Sequence, residues 1–273
     1  MNLPNRDMTE KGIQSDSEAP MVSWLLCSNV DSAGLRESLL SCLEQSFQDF
    51  EVVVVANGPR ARQIVSSVVT SFGQNGRIKA FSTDVSQLNF SLALGLHLCT
   101  GKYVARLDVD DIAYPGRLEA QVSFLAEHPE ITVFGSSYDI IDNRGTRVGH
   151  VPLPLNDSDI RAALLRGNPF CHPSVMFRRQ AVIDEGGYLG GQYAEDYDLW
   201  ARLALVDGIR FANSQTPFVG YRTATGETAR RSRRAYASVA AAQFRNFVSG
   251  AGIQWGIAAV ISATKAVVRS RRD

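Results

Sequence analysis

The stretch Tyr103-Val104-Ala105-Arg106-Leu107-Asp108-Val109-Asp110-Asp111 decides how the rest of the chain is read. A mainly apolar, strand-forming run passes directly into three carboxylates. A parallel strand ending this way delivers its acids to the crevice beyond the carboxyl edge of a sheet, where open α/β sheets bind ligands. Carboxylates packed so closely repel one another unless a cation or a shared proton offsets their charge. Hard oxygen ligands suit Mg²⁺ or Mn²⁺, and such an ion in turn grips the phosphates of a nucleotide. An isolated D-x-D is as readily a solvated acidic turn, so the flanking sequence has to decide.

Upstream, Val22 to Cys27 reads as a buried strand and is followed by a helix with Leu35, Leu39 and Leu43 at every fourth position, capped by Asp31 or Ser32. The β-branched run Glu51 to Val55 stops at Asn57-Gly58-Pro59, and Ile64, Val65, Val68, Val69 and Phe72 then form one helical stripe. A strand over 77–82 and a helix over 88–99 complete the lead into the acidic loop. Strand and helix in strict alternation predict a Rossmann-like, mostly parallel sheet flanked by helices. Downstream the pattern loosens. Pro115 opens a helix that His128-Pro129 closes, Ile131 to Ser137 is a strand, and Asp142 to Gly145 turns between two extended pieces. A helix over 157–166 precedes Pro173 to Phe177, which should return to the sheet. A glycine-rich loop, Gly186 to Gly191, leads to Glu195, Asp196 and Asp198 at the start of a helix, where the macrodipole favours negative charge. Pro217 to Tyr221 is the last expected strand.

With 273 residues the chain can bury one substantial core. The expected organisation is a polar, disordered leader over 1–20, an α/β domain over 21–225 and a basic, amphipathic helical region over 226–273. The leader lacks the apolar run of a signal peptide. Cys27, Cys42, Cys99 and Cys171 are scattered without paired spacing, which suggests neither zinc nor a disulfide framework and fits reduced core residues of a cytosolic protein. Net charge is zero, but residues 228–273 hold nine Lys and Arg against Asp273, a local +8 that leaves −8 for the remainder. Such asymmetry points to a polyanionic partner or to a solvated helix face. Residues 252–268 carry Trp255, Ile257, Val260, Ile261, Val267 and Val268 with Gln254 and Lys265, which suits either an interfacial helix at an anionic membrane or a helix packed on the core, and disfavours a spanning one. Nucleic-acid binding would rest on the basic tail alone, and no nucleic acid is expected as a partner.

A D-x-D loop has two other sources. In an EF-hand, Ile112 and Ala113 would stand where an oxygen ligand and the turn glycine belong, and a helix rather than a strand would precede the loop. An aspartate-dependent phosphotransferase, similar to the haloacid dehalogenases, would open its first strand with the motif, whereas three candidate strands precede it here. The ordered series fits better elsewhere. Val22 to Asn29, Leu39 to Gly58 (LLSCLEQSFQDFEVVVVANG), Thr100 to Leu118 (TGKYVARLDVDDIAYPGRL), His172 to Arg178 (HPSVMFR), Gly187-Tyr188, Ala194 to Leu203 (AEDYDLWARL) and Tyr221-Arg222 together resemble a family 2 glycosyltransferase of the GT-A fold.

The resemblance implies an enzyme that moves a sugar from a nucleotide-diphosphate donor to an acceptor hydroxyl with inversion, in polysaccharide or glycolipid synthesis. UDP-sugars are favoured as donors, with GDP- or dTDP-sugars as alternatives, and the acceptor is a saccharide or lipid-linked saccharide. It makes Asp108 and Asp110 the metal pair for Mn²⁺ or Mg²⁺, with Asp108 also reaching the donor ribose. It places Ser28, Asn29, Asn57 and Arg222 among the donor contacts and Asp196 as the general base. A guanidinium at Arg222 matches phosphate oxygens bidentately, and departure of a diphosphate builds charge that a divalent ion stabilises. Asp196 could instead be a helix cap, and Asn57 a turn residue. His172 and Trp200 read as structural. The chain departs from the family pattern at Ala56-Asn57, where relatives often carry an acid, at Leu92 and Ala93, and near Ala224, where a metal-ligating His is common. Those departures motivate the alternative of a catalytically weakened binding relative. The basic tail adds an expected peripheral position on the cytosolic face of the membrane.

Overall fold

The computed structural model describes residues 19–223 and 232–269, so the expected leader up to residue 18, position 224 and the arginines at 230, 231, 271 and 272 lie outside the described residues. The first half alternates as its pattern predicts: β1 (Val22–Ser28), α1 (Ala33–Leu43), β2 (Phe50–Asn57), α2 (Ala61–Phe72), β3 (Ile78–Thr83), α3 (Leu88–Leu98) and β4 (Tyr103–Arg106). The next elements are β5 (Ile112–Ala113), α4 (Arg117–Glu127), β6 (Val133–Ser136), β7 (Tyr138–Ile141), β8 (Arg147–Val151), α5 (Asp157–Leu164), β9 (Met176–Arg178) and α6 (Arg179–Asp184). The series ends with α7 (Glu195–Leu203), β10 (Phe211–Ser214), β11 (Val219–Arg222), α8 (Arg233–Val248) and α9 (Ile253–Arg269).

Seven strands form the main sheet in the order β10-β6-β9-β4-β1-β2-β3. β1 lies parallel between β2 and β4, with Val22 opposite both Phe50 and Tyr103. β1 and β2 are buried at every position, as strands covered on both faces must be. Alternation still sorts their side chains. Leu25, Cys27, Val53 and Val55 face one core layer, whereas Trp24, Leu26, Val52 and Val54 face the other with Leu35 and Leu39 of α1. A smaller sheet, β5-β11-β7-β8, caps the carboxyl edge. Its β7–β8 hairpin turns through Gly145 at φ 78°, where a side chain would be strained.

One expectation is corrected here. Pro173 to Phe177 was expected as strand, but residues 172–174 form a single 3₁₀ turn and β9 begins only at Met176, antiparallel to both β4 and β6. Pro173 has no N–H to give a ladder and is suited to the start of a helical turn. Trp255 was read as part of either an interfacial helix or a helix packed on the core, and its side chain takes the second place: it is 6% exposed and joins the core layer of Trp200 together with Val239 and Ala242 of α8. The four cysteines are buried and unpaired, as expected of core residues.

Candidate active site

The acidic loop is held from three directions. Beneath it, the fully buried Arg106 pairs with Asp108, and its guanidinium also donates to Leu25 O at 3.3 Å. Burial lowers the pKa of that arginine most strongly of any single influence, but the Asp108 charge and hydrogen bond together with Cys27 and Tyr188 raise it on balance. From the side, α1 presents Gly34, Ser38 and Ser41 along one face, and Gln45 follows just past its end. Ser38 Oγ accepts from Asp110 N (3.0 Å) and donates to Asp111 O (2.7 Å), and Ser41 Oγ accepts from Ala113 N (3.1 Å). Gln45 donates to Tyr114 O at 3.1 Å and accepts from Leu118 N at 3.2 Å. The Asp110 carboxylate rests over Gly34 so closely that a Cβ there would lie 1.9 Å from its Oδ1. Asp110 itself adopts φ 93°, a left-handed backbone that only the surrounding contacts can hold.

From above, Arg222 closes the loop. Its N–H donates to Asp111 Oδ1 (2.8 Å), and its guanidinium donates to Asp110 O (2.7 Å), Asn143 O (2.9 Å) and Glu37 Oε2 (2.6 Å). The guanidinium is thus engaged by two carbonyls and a carboxylate of the loops around it. Asp111 is buried, and burial, with the Asp108 charge added, holds its carboxyl well above the usual range. Its Oδ2 has no hydrogen-bond partner.

Asp196 faces the same space from the other wall. It occupies the second position of α7, and its Oδ1 accepts from Tyr197 N at 2.7 Å, so it serves one of the open donors of its own helix start. Its Oδ2 accepts from Asn168 Nδ2. Asn168 cannot turn away, because its Oδ1 accepts from Phe170 N at 3.1 Å. Neither Glu195 nor Asp198 takes over the cap: Glu195 accepts from Tyr193 N, and Asp198 pairs with Arg202 and Arg245. Asp108 and Asp196 line one cavity of about 690 Å³ with Asn168, His172, Tyr193 and Tyr221. His172 bonds Tyr188 Oη (2.9 Å), and its burial, then the Arg106 charge, lowers its pKa to about 4, which keeps it neutral.

The remaining expected contacts sit outside that cavity. Ser28 Oγ donates to Val30 O within its own turn, Asn29 is exposed, and Asn57 is buried with its amide on Ser91 Oγ. Trp200 is fully buried in the core. Among the described residues no three His, Cys, Asp or Glu side chains gather into a metal cage. The hard carboxylate oxygens of Asp108 and Asp110 nonetheless suit an ion such as Mg²⁺, which keeps waters and takes its other ligands from phosphates. Sequence reasoning missed Asn168, Glu37 and the Gly34-Ser38-Ser41-Gln45 row. The 4-3-4 spacing of small and polar residues beside the leucine stripe of α1 was the available signal.

Comparison with known proteins bears on the family and the fold. The family model "Glycosyl transferase family 2" matches residues 26–187, well over half of the chain. The O-antigen biosynthesis glycosyltransferase WbnJ of Escherichia coli is 29% identical over 85% of this chain and 91% of the relative. The amylovoran biosynthesis glycosyltransferase AmsE of Erwinia amylovora is 35% identical over 61% of this chain and 64% of its own length. A second Escherichia coli relative, UDP-Gal:alpha-D-GlcNAc-diphosphoundecaprenol beta-1,3-galactosyltransferase, is 30% identical over 72% of this chain and 71% of itself. Among solved structures, S. aureus TarS 1-349 in complex with UDP-GlcNAc superposes with a TM-score of 0.61 at 18% identity, over 82% of this chain and 66% of TarS 1-349. The mannosyltransferase PcManGT of Pyrobaculum calidifontis, in complex with GDP-Man and Mn²⁺, gives 0.61 at 16% identity, over 94% of this chain and 76% of that one. At such identities these two structures bear on the fold, which is of the GT-A type. The chain belongs to glycosyl transferase family 2 and is a glycosyltransferase.

Proposed function

We propose that this glycosyltransferase moves a sugar from a nucleotide-diphosphate donor, a UDP-sugar in the first instance, to a hydroxyl of a saccharide or lipid-linked saccharide, with inversion. The observation that carries the reading is the facing of Asp108 and Asp196 across one cavity, each anchored from behind by its own partner, Arg106 or Asn168. Asp196 accepts the proton of the acceptor hydroxyl as that oxygen bonds to the anomeric carbon, and the bond from that carbon to the donor diphosphate breaks with its electron pair. A single displacement needs one base and inverts the centre. Asn168 and the Tyr197 N–H keep the carboxylate aimed while it takes the proton. Asp108 and Asp110 would hold Mn²⁺ or Mg²⁺, which supplies charge stabilisation for the departing diphosphate. Arg222 acts here as a positioning residue that fixes the backbone of Asp110 and Asp111.

Support for the donor and acceptor classes is by likeness: TarS holds UDP-GlcNAc, PcManGT holds GDP-Man, and the second Escherichia coli relative is named for a diphosphoundecaprenol-linked substrate. A peripheral position at the cytosolic face of a membrane follows from the same acceptor class and from the basic tail.

The test pairs calorimetric titration of UDP and GDP, with and without Mn²⁺, with turnover of a donor panel. Asp110→Ala should lose metal-dependent binding, and Asp196→Asn should bind as wild type while kcat falls about 10²- to 10⁴-fold. Equal turnover by Asp196→Asn would remove it as the base. Binding by wild type without transfer or donor hydrolysis would favour the weakened, binding-only reading, which the lack of a third ligand among the described residues motivates.

A further inference from the structure

The α8–α9 hairpin is built with its polarity inverted. On α9 the residues turned toward the protein are Trp255, Ala258, Ala259, Ser262 and Ala266, mostly small, whereas Ile253, Ile257, Val260, Ile261 and Val268 are each at least half exposed. The exposed positions follow the 4-3-1 spacing of a single helical face. Phe244 of α8, 56% exposed, extends that face, and between the two helices lies a groove of about 690 Å³ floored by alanines and Gly256. A soluble surface scatters such residues singly, so a contiguous set marks a contact site.

The charge decides which contact. Residues 228–273 carry nine basic side chains against Asp273, and among the described ones Arg245 pairs with a buried acid, Asp198. A second copy on this face would bring two such clusters together, whereas an anionic lipid surface turns the same charge into attraction. No described helix is long and apolar enough to cross a membrane, so α9 would lie along the surface. The same helix α8 lines the cavity of Asp108 and Asp196 with Ala235 and Val239 and carries Phe244 between one and two turns beyond Val239. That puts the cleft within about 24 Å of the apolar face, the length of a 16-residue helix.

We propose that the exposed face of the α8–α9 hairpin docks this protein onto an anionic bilayer, seating Ile253, Ile257, Val260 and Ile261 at the boundary between headgroups and acyl chains. This carries the peripheral reading to particular residues and does not depend on the transfer chemistry. The test is sedimentation of the full chain with phosphatidylglycerol/phosphatidylcholine vesicles and with phosphatidylcholine alone, at low and high salt. Wild type should bind the anionic vesicles about tenfold better than the neutral ones. The Ile257→Asp/Val260→Asp double variant should lose about tenfold of that binding while its circular dichroism, melting and nucleotide titration stay those of wild type. Asp196→Asn should bind vesicles as wild type does, so failure of the catalytic reading leaves docking standing, and the reverse holds for the double variant. Equal binding by wild type and the double variant would reduce the contact to charge alone and overturn the proposal. A wild type that ignores vesicles but forms a concentration-dependent dimer lost in the double variant would assign the face to a second copy.

Discussion

Asp196 was named from the sequence by its place in the family motif Ala194 to Leu203, but the residue that holds its carboxylate was not legible. Asn168 lies 28 positions away in an irregular stretch, and nothing in Gly167-Asn168-Pro169 announces that its amide oxygen is pinned by Phe170 N and its amide nitrogen turned to the carboxylate. A hydrogen bond to a charged group contributes about 1.5–3 kcal/mol. Asn168→Ala should therefore lower kcat roughly tenfold with donor KM nearly constant, since the bond orients the base rather than the donor. Asn168→Asp should cost more, because two carboxylates at that contact repel or share a proton. His172, read as structural, gives a stability prediction. Its folded pKa of about 4 lies below the ordinary 6.5, so between those values the unfolded chain binds more protons. The contribution is intact above pH 6.5 and falls away as pH drops to 4, by at most about 3 kcal/mol. Urea melts across that range should show a shallower pH slope for His172→Gln than for wild type, and parallel slopes would refute the assignment.

At the scale of elements, α1 was legible as a helix from its leucines, and Ser32 caps it as one of the two expected residues. What its other face does was not legible, because a stripe of Gly and Ser has no hydrophobic period and acquires meaning only once the acidic loop is folded over it. The loop itself includes β5, a two-residue strand too short for any alternation to register. Gly34→Ala tests the cradle directly. The added methyl would overlap Asp110 Oδ1, and a carboxylate held in a left-handed backbone has little room to yield. We expect metal-dependent nucleotide affinity to fall at least about tenfold and the melting temperature to drop, since the overlap outweighs the helix preference of alanine, up to about 1 kcal/mol. Wild-type affinity in that variant would mean the loop moves freely. Arg222→Lys makes the complementary point. A lysine cannot reproduce a fork that meets Asp110 O, Asn143 O and Glu37 at once, so Mn²⁺-dependent titration should weaken although the charge is kept.

For the whole molecule, the parallel half of the sheet was legible because strands buried on both faces read as unbroken apolar runs, while β10 was not, its Asn213 being a polar residue turned inward to Pro154 O and Pro169 O. The boundary drawn near residue 225 rested on a change of charge, and charge is a property of surfaces that does not report what lies beneath. Under the hairpin, Val239, Ala242 and Trp255 share a core layer with Trp200 and Phe211, Asn246 donates to Ala201 O at 2.7 Å, and Arg245 meets the buried Asp198. A chain ending at 225 would leave that layer open and Asp198 with one partner fewer. The catalytic body and the hairpin should accordingly unfold together: the full chain should show one denaturant transition by tryptophan fluorescence and by far-UV circular dichroism alike. Trp255→Ala should shift that single midpoint by about 3 kcal/mol, the usual cost of emptying a buried aromatic site, because the loss falls on the shared core. Two separated transitions, with Trp255→Ala moving only the lesser one, would instead restore an independent tail, and the cleft would then have to be complete without Ala235 and Val239.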